Sequence, residues 1–288
     1  MQKMKFSDQV SLGLSSYGKA FNVIFTKRLW WFFIFPLLFI ILLYLGLLYG
    51  ITGFDDYLQN LALDNIGLAD ADFWGSGVLR FLVKTLIKGV LFFLILAIFK
   101  YVGGYIVLIC LSPVFAFLSE KTDKVISGKD YPLSAEQLMR DIWRGIRIAL
   151  RNLFIELGYM IAIFILGLLL GWIPLIGFLF KMVSIVFLFI ISSYFYGFSY
   201  LDYTSERRRM NVRTSVHFVR KYKWLAITNG AIFSIPILFS SWGVLVSAFL
   251  SIVSVVAATL AFMEIEKKEA AFASLQNDQG TVTKNEGG

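Results

Sequence analysis

Four apolar blocks divide the chain, at residues 29–49, 78–111, 156–201 and 224–263, with charged stretches between them. Each meets or exceeds the roughly 20 residues that a helix needs to cross a bilayer. The second is long enough to be strongly tilted or to project beyond the membrane. The third breaks in an oily place. In LGLLLGWIPLIGFLF, residues 166–180, Gly171 and Pro174 interrupt the run with no polar side chain nearby. Proline lacks an amide donor and disfavours helix through the residue before it, so the pattern predicts two helices meeting at a tight bend. A hairpin that crosses the whole bilayer normally puts a polar turn in water. An apolar turn predicts a tip that stops inside lipid or protein, a re-entrant and half-penetrating arrangement. The fourth block is interrupted at Pro236 and at Ser240, Ser241, Trp242 and Gly243, and reads as a second hairpin. Its turn is more polar, so full crossing stands beside half-penetration.

Composition agrees with the pattern. Of 288 residues, 58% are hydrophobic, 17% aromatic and only 16% charged, which describes an integral membrane protein and requires no separate soluble domain. The chain divides into one membrane domain, residues 1–263, and a polar tail, residues 264–288, expected to be a short helical extension followed by disorder. The single cysteine, Cys110, lies in an apolar run and is expected to pack. The first apolar block follows nearly thirty residues, exceeds a signal-peptide core and lacks a small-residue cleavage site, so it reads as an uncleaved membrane helix.

Charge sets the expected orientation, because Lys and Arg accumulate at cytoplasmic helix ends. Residues 1–28 carry Lys3, Lys5, Lys19, Lys27 and Arg28; residues 51–78 carry Asp55, Asp56, Asp64, Asp70 and Asp72 and no Lys or Arg. The N-terminus is expected inside and the acidic loop outside. Residues 119–151 hold seven basic groups and residues 202–223 another seven, so both ends of the third block are expected to be cytoplasmic. The C-terminus follows to the same side.

Two features carry candidate chemistry. Ser134 and Gln137 form a capping-box start, after which Arg140, Arg144, Arg147 and Arg151 recur at helical spacing opposite Leu138, Ile142, Ile146, Ala149 and Leu153. This basic amphipathic helix is suited to a cytoplasmic surface of anionic lipid headgroups; alternatively its guanidinium groups form an anion-attracting vestibule. Lys100 lies near the middle of an apolar stretch, and Lys181 lies shortly past the first hairpin tip. A lysine at the bilayer centre costs on the order of 2.5 to 3.5 kcal/mol, so both are functional candidates. Two readings stand: a hydrated anion pathway past Lys100, or snorkelling and ion pairing, with Glu156 as a partner. Arg80, Lys84 and Lys88 at the outer end of the same helix read as interfacial.

Longer motifs resemble a known family. LSPVFAFLSEKTDKVISGK, the IPLIG turn, SYFYGFSYLDYTSERRRMNVRTSVHFVRKYK and NGAIFSIPIL are similar to the CysZ-like sulfate permeases, also called the etoposide-induced-protein domain family, over about residues 15–262. The block Tyr200-Leu201-Asp202-Tyr203 is the most specific part. The resemblance implies an inner-membrane homo-oligomer with two long transmembrane helices and two half-penetrating hairpins, conducting sulfate inward. The family pattern also has Gly-Leu-Arg-Arg before a proline, its arginines binding sulfate. Counting back from Pro36, this chain has Arg28 and Leu29 at the Gly-Leu positions and Trp30 and Trp31 in place of the arginines. Lys27 and Arg28 could supply a displaced anion site there. Otherwise they are ordinary positive-inside residues beside an aromatic belt of Trp30 and Trp31.

Catalysis finds no support in the pattern. The one histidine, His217, sits in a basic segment and reads as a solvated loop residue, and no Cys, His and carboxylate spacing suggests a metal site. No cofactor is expected. The run Arg207-Arg208-Arg209 beside a membrane helix argues for orientation and headgroup contact, not nucleic acid. The expectation is therefore an all-α conduit in a bacterial cytoplasmic membrane for sulfate or a similar oxyanion. Lys27 and Arg28 would capture it, Lys100 and Lys181 would offset its charge at depth, and Arg140, Arg144, Arg147 and Arg151 would tune the vestibule. A non-transporting membrane scaffold is the competing expectation.

Overall fold

Proline and glycine positions set several of the helix ends. A computed structural model describes residues 4–128, 135–240 and 242–285, and among these all regular structure is helical. In order come α1 (Phe6–Thr26), a 3₁₀ turn (Trp30–Phe33), α2 (Ile34–Asn65), α3 (Ser76–Cys110), α4 (Ser112–Ser127) and α5 (Ala135–Leu170). These are followed by α6 (Pro174–Arg207), α7 (Val212–Lys221), α8 (Lys223–Phe239) and α9 (Gly243–Asn285). Ser134, the expected cap, and Ser241 lie outside the described residues.

The first hairpin is built as its sequence requires. Pro174 opens α6, where a missing amide forfeits no helical bond. Gly171 donates its amide to the Gly167 carbonyl at 2.9 Å and Gly177 to that of Ile173 at 2.7 Å, which closes the bend without any polar side chain. The second hairpin turns between Phe239 and Gly243, the later of the two interruptions expected. Pro236 lies inside the last turn of α8, which continues to Phe239, and the Ser240 amide still reaches the Pro236 carbonyl at 3.2 Å. A proline that near the end removes one helical bond without reversing the chain.

Other helices extend past their expected limits. α2 carries the acidic segment as helix to Asn65, so the connection to α3 shrinks to residues 66–75. The basic amphipathic stretch is continuous with the first arm of the hairpin, forming α5 as one helix of 36 residues. α9 runs unbroken to Asn285, beyond the short extension expected after Glu264; Glu, Lys, Ala and Leu from 264 to 275 all favour helix. His217 sits on α7 and not in a loop. Cys110 is exposed at the end of α3, not packed.

The protein is an all-α, multi-pass membrane protein. Ser76–Cys110, Ile142–Leu170, Pro174–Arg207 and Gly243–Ala271 are each long and apolar enough to cross a membrane, and two bent pairs raise the possible spans to six. One pair bends by 101° between Phe6–Thr26 and Trp30–Gly46, the other by 89° between Val212–Lys221 and Lys223–Phe239. Buried share separates the spans: 72% of the apolar window of Gly243–Ala271 is enclosed, against 6% in α3 and α6 and 11% in α5. α9 is therefore the central post, and its small residues Ala248, Ser251, Ser254, Ala257 and Ala261 let α1, α4, α6 and α8 pack closely around it.

The closest approach joins α6 to α8. A Cβ at Gly197 would meet the Ala226 carbonyl, and one at Gly230 would meet the Ser193 carbonyl, so the two backbones touch where each lacks a side chain. This contact fixes the C-terminal half of α6. Its N-terminal half projects with α5 as an apolar arm, where Trp172, Leu175 and Phe178 are exposed.

Candidate functional site

Lys100 of α3 and Lys181 of α6 line one cavity of about 420 Å³. α5 contributes Glu156 and Met160, α6 also Ser192 and Tyr196, and α8 Ser234 and Ile237. Three of those helices are spans by length and composition, so the cavity opens among membrane segments. The sequence placed both lysines at depth but could not show that they share a site.

Glu156 is held without a cation. Its side chain is about 1% exposed; one carboxylate oxygen accepts from the Tyr105 hydroxyl at 2.6 Å and the other from the Ser192 hydroxyl. Among the described residues, neither Lys100 nor Lys181 forms an ion pair. The Lys100–Glu156 ion pair, one of the alternatives the sequence left open, is not formed; the two residues line one cavity, and hydroxyl donors hold both Glu156 oxygens. With both lysines charged, two ammonium groups face one carboxyl, and the cavity keeps a net positive charge. Ser192 already donates to Glu156 and Ser234 to the Gly230 carbonyl, so a small anion there would be held chiefly by the ammonium groups, in place of their hydration.

The four arginines of α5 do not act as one face. Arg140 is exposed and pairs with Glu136 at 2.6 Å on its own helix. Arg144 turns inward to Asp202 at 3.0 Å and Glu206 at 3.6 Å, and also donates to the Met210 carbonyl at 2.6 Å. Arg147 is exposed, and Arg151 lines a separate pocket with residues of α7. Asp202 additionally accepts from the Ser215 hydroxyl, so the acidic residue of the Tyr200–Tyr203 block ties α5, α6 and α7 together. Tyr203 and Ser112 pack against Gly145, which seats α5 at that point.

Lys27 and Arg28 lie at the sharp bend after α1, away from the lysine cavity. Both are exposed, as are Trp30 and Trp31, whereas Leu29 and Phe32 are buried and Phe32 packs on Phe117 of α4. Arg28 has φ of 57°, the left-handed region that favours glycine. The expected glycine position of the family pattern therefore coincides with a backbone that calls for one, which supports that register. The three groups of candidate residues stay apart: the bend, the cavity and the divided arginine row.

Sequence reasoning missed the buried ionic cluster at the far end of α6. Arg208 bridges Asp123 of α4 at 2.6 Å and Glu266 of α9 at 2.8 Å, while Arg207 donates to the Ser119 carbonyl. The hydrogen bonds that Arg208 donates to Glu266, and then to Asp123, hold its guanidinium above its ordinary pKa, against the opposing effect of burial. The basic run read as headgroup contact is thus partly structural. The signal was the acidic residues Asp123 and Glu266 near the ends of apolar stretches, but their partner Arg208 is 85 and 58 residues away.

No curated protein is similar enough to the chain to count as a match. The family described as sulfate transporter CysZ/etoposide-induced protein 2.4 matches residues 16–257, which include every helix from α2 to α8, the lysine cavity and the Tyr200–Tyr203 block. With most of its length matched, the chain belongs to that family.

Proposed function

We propose that the protein is a conduit for a small oxyanion across a bacterial cytoplasmic membrane, with sulfate as the principal substrate. The carrying observation is that Lys100 and Lys181, on different helices, line one cavity with Glu156 and the hydroxyl-bearing Ser192, Ser234 and Tyr196. Paired ammonium groups suit a tetrahedral dianion, whose charge needs compensation at depth. Membership of a family described as a sulfate transporter supports the same substrate.

In this reading the termini are cytoplasmic, the α5–α6 and α8–α9 hairpins end within the bilayer, and copies associate into a homo-oligomer. Lys27 and Arg28 attract the anion at the entrance, while Arg147 and Arg151 raise its local concentration. Arg140 contributes less because Glu136 offsets it, and Arg144 is reserved for Asp202.

A scaffold reading draws on the exposed apolar arms of α2, α3, α5 and α6, which could hold lipid or a partner without transport. Uptake of radiolabelled sulfate into proteoliposomes separates the two, with empty vesicles and Lys100→Ala as controls. Saturable uptake that is lost in the variant, with assembly unchanged, supports the conduit. Flux no greater than in empty vesicles, from folded protein, overturns the sulfate assignment.

A further inference from the structure

A second cationic concavity lies between α5 and α7. Arg151, Arg213, His217 and Arg220 surround a pocket of about 400 Å³, with Val212 and Val216 completing its lining. Among the described residues none of these three arginines forms an ion pair. That separates them from Arg144 and Arg208, each of which meets two carboxylates. The Tyr194 hydroxyl of α6 hydrogen-bonds with Arg220 and brings no charge to the pocket.

Three guanidinium groups converging without a counter-charge repel one another, and an anion seated among them removes that cost. Guanidinium forks match the oxygens of a phosphate group, which can accept from more than one of them at once. Leu150 and Phe154, on either side of Arg151 along α5, are exposed and apolar. A lipid whose headgroup entered the pocket would find acyl-chain contacts on that helix face.

We propose that Arg151, Arg213, His217 and Arg220 form a phosphate-recognising site, distinct from the lysine cavity, whose ligand is the phosphomonoester headgroup of a membrane lipid or the free ion. The apolar flank favours the lipid source. No lining residue is shared with the Lys100–Lys181 cavity, so the test of this site does not depend on sulfate uptake; Arg151 alone also belongs to the vestibule of the proposed conduit.

Thermal unfolding of the detergent-purified full chain, followed by tryptophan fluorescence, tests the site. Dioctanoyl phosphatidic acid, dioctanoyl phosphatidylcholine and sodium phosphate are titrated at constant ionic strength, with chloride as the control. Phosphatidic acid is expected to raise the midpoint saturably. Arg213→Gln and Arg220→Gln are each expected to weaken the response roughly tenfold, as loss of a charge-assisted hydrogen bond should. Lys5→Gln, exposed ahead of α1 and outside the pocket, is expected to change nothing. A comparable response to inorganic phosphate identifies the free ion as sufficient, whereas a response to phosphatidic acid alone identifies the headgroup. No shift beyond phosphatidylcholine and chloride overturns the site, as does an undiminished shift in the Arg151→Gln/Arg213→Gln/Arg220→Gln variant. The unligated midpoint of each variant, read in the same scan, reports whether it folds.

Discussion

Lys100 and Lys181 come from different helices and different apolar blocks, yet they line the same cavity, with Glu156 between hydroxyl donors beside them. If both ammonium groups stabilise one passing anion, their effects must be coupled. Lys100→Gln and Lys181→Gln are each expected to lower sulfate uptake at least tenfold, and the double variant little further, because contacting residues that share one ligand are non-additive. Initial uptake rates in a double-mutant cycle measure this. Independent, multiplying effects would place the lysines on separate steps.

Asp202 supports Arg144 where the guanidinium side chain is only 17% exposed. Removing one partner of a buried ion pair typically costs about 3 to 5 kcal/mol, because the other charge stays desolvated. Glu206 remains 3.6 Å from Arg144, so Asp202→Asn is expected at or below the lower end of that range. The paired replacement Arg144→Met/Asp202→Leu should recover much of the loss. Thermal midpoints of the three variants check it, and a double variant as unstable as the single one would refute it.

Gly197 and Gly230 each meet the backbone of the other helix where a side chain would sit. Alanine at either position must push α6 from α8, with an expected cost of about 1 to 3 kcal/mol or more and loss of monodisperse protein on size exclusion. Gly18 has nothing within 4 Å of its would-be Cβ, so Gly18→Ala in α1 is expected to be neutral or stabilising. Equal effects at all three sites would mean that helix propensity, not contact, governs them.

Arg28 holds a left-handed backbone at φ of 57°. That conformation costs roughly 1 to 2 kcal/mol for a residue with a Cβ. Arg28→Gly relieves it and forfeits part of the gain to unfolded-chain entropy, so a net stabilisation of about 1 kcal/mol or less is expected. Should Arg28 also capture the anion, the same variant will show a higher half-saturating sulfate concentration despite its greater stability. Parallel measurement of melting and uptake separates backbone strain from binding.

Local chemistry made much of the architecture legible. The bend at Gly171 and Pro174 was visible because proline sterics act on adjacent residues, and Pro236 leaves the turn to the Ser240–Gly243 stretch because it sits where α8 is already about to end. The continuity of α5 was hidden for a similar reason: an amphipathic stretch and a wholly apolar stretch differ in what they face, not in backbone conformation.

Hydropathy and charge along the chain determined the membrane class, the apolar blocks and the hairpin turns, since each depends on neighbouring residues and the solvent they meet. The family resemblance carried in the Tyr200–Tyr203 block and the IPLIG turn belongs to the sequence as well. Only the tertiary structure decided that Lys100 and Lys181 share a cavity, that Arg144 is spent on Asp202, and that Arg151 joins Arg213 and Arg220. Those outcomes depend on how helices rotate and pack against one another. That rotation is set by close contacts such as Gly197 on Ala226, between residues that the chain itself keeps far apart.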